Sequence, residues 1–94
     1  MNTTFSVNHN PAASRFEATV EGHLCVADYR MADGVMTMPH TEVAPSLQGR
    51  GIAQVLVKSA LDWARSERLR VEPLCTYVAA YMRRHPETQD LLAP

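Results

Sequence analysis

The sequence predicts a compact α/β (α+β) fold: a mostly antiparallel sheet, one parallel strand pair and two helices, in a single domain over residues 1–94. Three observations predict it. The first third of the chain alternates polar and apolar residues in short runs broken by turn residues, the period of half-buried strands. Residues 52–65 carry apolar side chains at helical spacing. Strand-like runs on both sides of that helix make a strand–helix–strand unit, whose right-handed crossover leaves the two strands parallel. A chain of 94 residues has no room for a second core.

The elements follow in order. Residues 3–8 are short and β-rich. In residues 15–20, alternation puts Phe16, Ala18 and Val20 on one face. Glu21-Gly22 breaks that strand, and residues 23–31 form the next, with Leu24 and Val26 expected on one face and His23 and Cys25 on the other. Asp33-Gly34 is a two-residue hairpin signal, and residues 35–43 return. Pro39 lies inside that return strand and cannot donate to the ladder, so a bulge or an unpaired step is expected there. The helix over 52–65 turns Ile52, Leu56, Ala60 and Trp63 to one side, with Gln54, Lys58, Asp62 and Arg65 on the other. Residues 69–74 read as a short buried strand, residues 76–84 as a second helix ended by His85-Pro86, and residues 87–94 as a turn and tail.

Composition excludes several classes. The eight arginines and single lysine are scattered and offset by ten carboxylates, for a net charge of −1, so no basic nucleic-acid footprint exists. No stretch has the length of a membrane span, and residues 1–12 lack the pattern of a signal peptide. The expected compartment is the reducing cytoplasm. Cys25 and Cys75 make neither a disulfide framework nor a zinc spacing, and His23 with Cys25 supplies too few ligands for a metal. No metal is expected, and Cys25 reads as core.

The most informative stretch is Val43-Ala44-Pro45-Ser46-Leu47-Gln48-Gly49-Arg50-Gly51-Ile52-Ala53. Here a strand runs into a turn that opens a helix. A helix start has backbone N–H groups without internal partners and the positive end of the macrodipole. Glycines there let an anion approach those amides, and Arg50 adds a planar cationic fork. The same residues also suit a plain strand-to-helix turn, with glycines supplying positive φ and Arg50 solvated. No Gly-Lys-Ser/Thr follows, so this is not a Walker-type loop.

Gln48-x-x-Gly51-x-Ala53, preceded by Val43-x-Pro45, resembles the acyl-CoA signature of the GNAT acyltransferase superfamily. His40-Thr41-Glu42-Val43, Pro73-Leu74-Cys75, Tyr81 and Arg83-Arg84-His85-Pro86-Glu87 extend the likeness to a branch of very small single-domain GNAT-like N-acetyltransferases, over about residues 35–92. The resemblance implies a GNAT-like sheet whose parallel strands splay, with the pantetheine arm of acetyl-CoA (coenzyme A) between residues 41–43 and 74–75. It implies cofactor contacts at Thr41, Val43, Gln48, Gly49, Arg50, Gly51, Ile52 and Ala53. It further implies that Cys75 lies near the thioester and that Tyr81 protonates the departing thiolate. The branch carries Pro after that cysteine. Here Thr76 stands instead and is expected to cap the helix.

Four residues are candidates for chemistry. Cys75 precedes a helix, where the dipole favours the thiolate; its other reading is a small buried hydrophobe. His40 and Glu42 share a strand face, and either could take a proton from an amine. Tyr81 is the acid, or simply packing. Arg83, Arg84 and His85 suit either outer phosphates or the negative helix end. The expected function is therefore acetyl transfer from acetyl-CoA to an amine acceptor, directly or through Cys75. The alternatives are a non-catalytic CoA-binding or sensing module and an interaction protein that has lost the ligand. Larger GNAT relatives build the acceptor site from additional segments, so the expected acceptor site is open, completed by a partner protein or a second copy, or absent.

Overall fold

Glu21-Gly22 and Asp33-Gly34 have positive φ at both residues (50° and 80°, 53° and 77°), the type I′ geometry whose twist matches that of the flanking strands. In the computed structural model, which describes residues 4–94, these turns join β2 (Arg15–Val20), β3 (His23–Ala32) and β4 (Val35–Glu42) into an antiparallel meander. The short β1 (Asn8–Asn10) adds to β2. Helix α1 (Ile52–Ser66) then crosses over and returns the chain to β5 (Arg70–Glu72), parallel to β4, and α2 (Thr76–Arg84) follows. The five strands lie in chain order. This is the mixed, mostly antiparallel α/β architecture that the sequence predicts, with its one parallel pair.

The core forms between one sheet face and the helices. Phe16, Ala18 and Val20 are buried as their alternation requires. On β3 the buried set is Cys25, Ala27 and Tyr29, whereas Leu24 is 46% exposed. Leu24 and Val26 share the opposite face, as expected, and Cys25 is core; β3 has apolar residues on both faces, and the register with β2, pairing Ala18 with Cys25 and Phe16 with Ala27, puts the Cys25 set inside. From α1, Ile52, Leu56, Ala60 and Ala64 meet this face, all buried.

The interruption at Pro39 takes the form of a bulge. Asp28 pairs with His40 and Arg30 with Thr37, so Tyr29 alone faces Met38 and Pro39. Parallel pairing of β4 with β5 ends at Thr37 and Glu72. After Pro73 the Cys75 N–H donates to the Met38 carbonyl at 2.9 Å, and the chain then enters α2.

Both ends depart from expectation. The first strand is Asn8–Asn10 rather than 3–8, and residue 3 lies outside the described residues. Phe5 and Val7 instead pack against the core without joining the sheet. The final segment is an ordered 3-10 helix, Pro86–Leu91, not a tail. Its carbonyls and carboxylates capture side chains from the crossover unit: Arg65 binds the Asp90 carboxylate at 2.8 and 2.9 Å and the Glu87 carbonyl at 2.8 Å. Leu91 is buried, and the Ala93 N–H donates to the Val71 carbonyl at 2.9 Å, covering the β5 edge. Among the described residues, no helix is long and apolar enough to cross a membrane.

Candidate active site

The segment joining β4 to α1 is built as a cradle. Pro45–Leu47 forms a 3-10 turn anchored by the buried Leu47. The Gln48 side-chain amide donates to the Val43 carbonyl at 3.3 Å, tying the turn to the end of β4. Gly49 and Gly51 then take φ of 86° and 80°, a region that costs other residues about 1–2 kcal/mol. A Cβ at either glycine would meet no protein atom within 4 Å, so the space above them is open. Gly51 is the N-cap of α1; no side chain caps the helix and no acidic residue stands in its first turn. Its first amides therefore remain available to an anion.

A cavity of 460 Å³ opens on this turn, lined by Thr41, Val43, Leu47, Gln48, Gly49, Gly51, Ile52, Ala53 and Tyr77. Seven of the eight positions expected to touch the cofactor line it; Arg50 does not. Its guanidinium turns away to the Glu21 carboxylate in the β2–β3 turn. Leu47 and Tyr77 are the additions. Tyr77 is signalled in the sequence only by its place just after Cys75 at the start of α2, the end of the helix nearest the strand gap.

Cys75 is the N-cap of α2, and no side-chain bond caps that helix. Thr76 is the first helical residue, is exposed, and does not act as the expected cap. The Cys75 sulfur is half-buried, 3.7 Å from the Thr41 hydroxyl. Burial pushes its thiol pKa up, but the open amides of Val78 and Tyr77 and the Thr41 hydroxyl favour the anion, and the pKa is lowered overall.

The remaining candidates are placed elsewhere. His40 Nε2 lies 3.2 Å from Glu42 Oε1, with side chains 52% and 67% exposed. Both are on the strand face opposite Thr41 and Val43, because successive residues alternate, and neither lines the cavity. His40 pairs across the strands with Asp28. Tyr81 is 7% exposed and stacks on His85 with ring centroids 3.9 Å apart. It lines a separate 140 Å³ cavity with Lys58, Asp62 and Glu87. The tyrosine brought to the cradle is therefore Tyr77, one turn earlier. Burial raises the pKa of both phenols; Arg84 partly offsets this at Tyr77 and Lys58 at Tyr81. Among the described residues, no group of three or more His, Cys, Asp or Glu could hold a metal.

Comparison with known proteins places this arrangement in context. Protein NATD1 from Gallus gallus and from Homo sapiens is 39% identical over 57 residues, 61% of this chain and 52% and 50% of those proteins. The chain thus spans about half the length of these two relatives. Protein NATD1 from Danio rerio is 26% identical over 95 residues, covering 97% of this chain and 86% of that protein. The solution structure of a GCN5-like N-acetyltransferase candidate from Staphylococcus aureus superposes with a TM-score of 0.75 at 21% identity, covering 94% of this chain and 87% of that one, which establishes the likeness of fold. The profile of the family described as GCN5-related N-acetyl-transferase matches residues 15–91. With most of its length inside that match, the chain belongs to the GCN5-related N-acetyltransferase family.

Proposed function

We propose that this chain binds acetyl-CoA in the cavity over Gly49 and Gly51 and transfers the acetyl group to an amine. The observation that carries the reading is the cradle: an uncapped helix start, two glycines at positive φ and open space above them. Bound there, acetyl-CoA would supply an acyl thioester. The amides at the start of α1 favour phosphate oxygens, while Val43, Leu47 and Ile52 offer an apolar wall to the uncharged arm. Tyr77 keeps its proton at neutral pH and has a hydroxyl to donate. Cys75 and Thr41 meet at the seam where the strands part. His40, paired with Glu42 on the strand face opposite Thr41 and Val43, is the proposed base for an amine that approaches from outside the cavity.

One observation favours a second reading, a CoA-binding module without turnover. Among the described residues that line the cavity there is no base, and Tyr77 is the only titratable side chain. A single experiment addresses both. CoA at a hundredfold its dissociation constant stabilises a binder by about 2.7 kcal/mol, which for a domain this small raises Tm by roughly 10 °C. The shift is expected with CoA and acetyl-CoA and is smaller with adenosine. No shift at saturating CoA overturns the reading. A shift without release of CoA in the presence of any amine selects the module.

A further inference from the structure

We infer that Glu21 is a specificity-determining residue for the phosphate end of the proposed ligand, holding Arg50 off the cradle until a phosphate group displaces it. The inference rests on the CoA-binding reading above. Arg50 lies between the two glycines whose backbone lines the cavity, so it is the cation nearest the cradle in sequence, yet it does not line the cavity. Among the described residues, none that lines the cavity carries a cationic side chain. Arg50's guanidinium is instead paired with the Glu21 carboxylate, 29 residues earlier, at the tip of the β2–β3 turn.

The turn itself supplies the independent argument. Glu21 has φ of 50°, the first position of a type I′ turn, where Asn, Asp and Gly are favoured because they tolerate that conformation. The sister turn obeys the preference with Asp33 at φ 53°. A glutamate at position 21 is not what the turn selects. What it adds over Asp or Asn is reach, and that reach ends on Arg50. Both side chains are partly solvated, at 38% and 60% exposure, so the pair is weak enough to be exchanged for a phosphate. An intramolecular carboxylate that must be displaced lowers the affinity for any polyphosphate and does nothing to a ligand without phosphate.

The test is titration of the full chain with CoA and with pantetheine, which lacks the phosphates, at low and high salt. Glu21→Gln and Glu21→Asn, the second of which also suits the turn, are expected to tighten CoA about two- to fivefold at low salt, the range of an exposed ion pair. The gain shrinks at high salt, is absent for pantetheine, and disappears when Arg50→Gln is combined with either variant. Unchanged or weaker CoA binding by both Glu21 variants, with the parent binding CoA normally, overturns the inference and leaves the cofactor reading standing. A parent that binds no CoA overturns both.

Discussion

The sulfur of Cys75 lies 3.7 Å from the hydroxyl of Thr41, across the seam where β4 and β5 have ceased to pair. The contact couples the start of α2 to the end of β4, and Thr41 also lines the cavity. Since the hydroxyl favours the thiolate, Thr41→Val should raise the thiol pKa toward its ordinary value. Alkylation by iodoacetamide reports the thiolate, so its pH profile in the parent should have a midpoint below that of a free cysteine. Thr41→Val should move the midpoint up and slow alkylation near pH 7 by about two- to tenfold. Identical profiles would show that the hydroxyl does not hold the anion.

Gly51 can be separated into its conformational and its binding roles by a matched control. Gly51→Ala and Gly34→Ala both place a Cβ at positive φ, 80° and 77°, in open space. Each should cost about 1–2 kcal/mol of stability. Only Gly51→Ala should also weaken CoA binding, because only its backbone lines the cavity. Equal CoA affinity in the two variants, measured by calorimetry, would place the phosphate cradle elsewhere.

The two tyrosines of α2 make opposite predictions. Tyr77 lines the cavity at 40% exposure, while Tyr81 is 7% exposed and stacked on His85. Tyr77→Phe removes the hydroxyl proposed to donate a proton and should lower kcat by about tenfold or more, with Tm unchanged. Tyr81→Phe keeps the stacked ring and should leave kcat within about twofold. Tyr81→Ala should cost about 3 kcal/mol of stability. The reverse ranking in kcat would return the acid role to Tyr81.

His9 sets a pH dependence of stability. Its Nε2 lies 2.6 Å from the Tyr29 hydroxyl, and its ring stacks on Phe16 at 4.2 Å and meets Trp63 at 4.5 Å. Burial lowers its pKa below 6.5. The unfolded chain therefore takes up the proton first as pH falls, so stability is complete above pH 6.5 and declines below it until the folded pKa is passed. The drop in Tm between pH 7 and pH 5.5 should be larger in the parent than in His9→Gln. The chain has one tryptophan, so Trp63 emission should report the same titration, with a midpoint below 6.5. A parent and variant with parallel pH curves would show that His9 does not titrate there.

The sequence discloses what is local. Asp33-Gly34 names its own turn, and Pro39 announces a bulge, because each acts through its own φ or its missing N–H. The glycine cradle is legible for the same reason. What escapes depends on distant partners. Leu24 and Val26 are as apolar as Cys25 and Ala27, and only the pairing with β2 decides which set is buried. Arg50 looks free until folding brings Glu21 beside it. Tyr77 and Tyr81 share a helical stripe, yet the helix meets the cavity only at its first turn, and later residues pack toward α1 and the closing 3-10 segment. That segment is held by Arg65 and Arg70, from elements 20 or more residues earlier, so nothing in residues 87–94 alone announces it.

The chain-order sheet has a consequence for kinetics. Each of the first four strands pairs with its immediate neighbour across a short connection, so these contacts close small loops and carry little entropic delay. The union of β4 with β5 must instead wait for the whole length of α1 to be spanned. The meander is accordingly expected to nucleate early, and the seam at Thr41 and Cys75 to be assembled late. Substitutions in the two Xaa-Gly turns should then act mainly on the folding rate, and those in β5 mainly on the unfolding rate. The cleft between Thr41 and Tyr77 would be the first part of the molecule to open and the last to close.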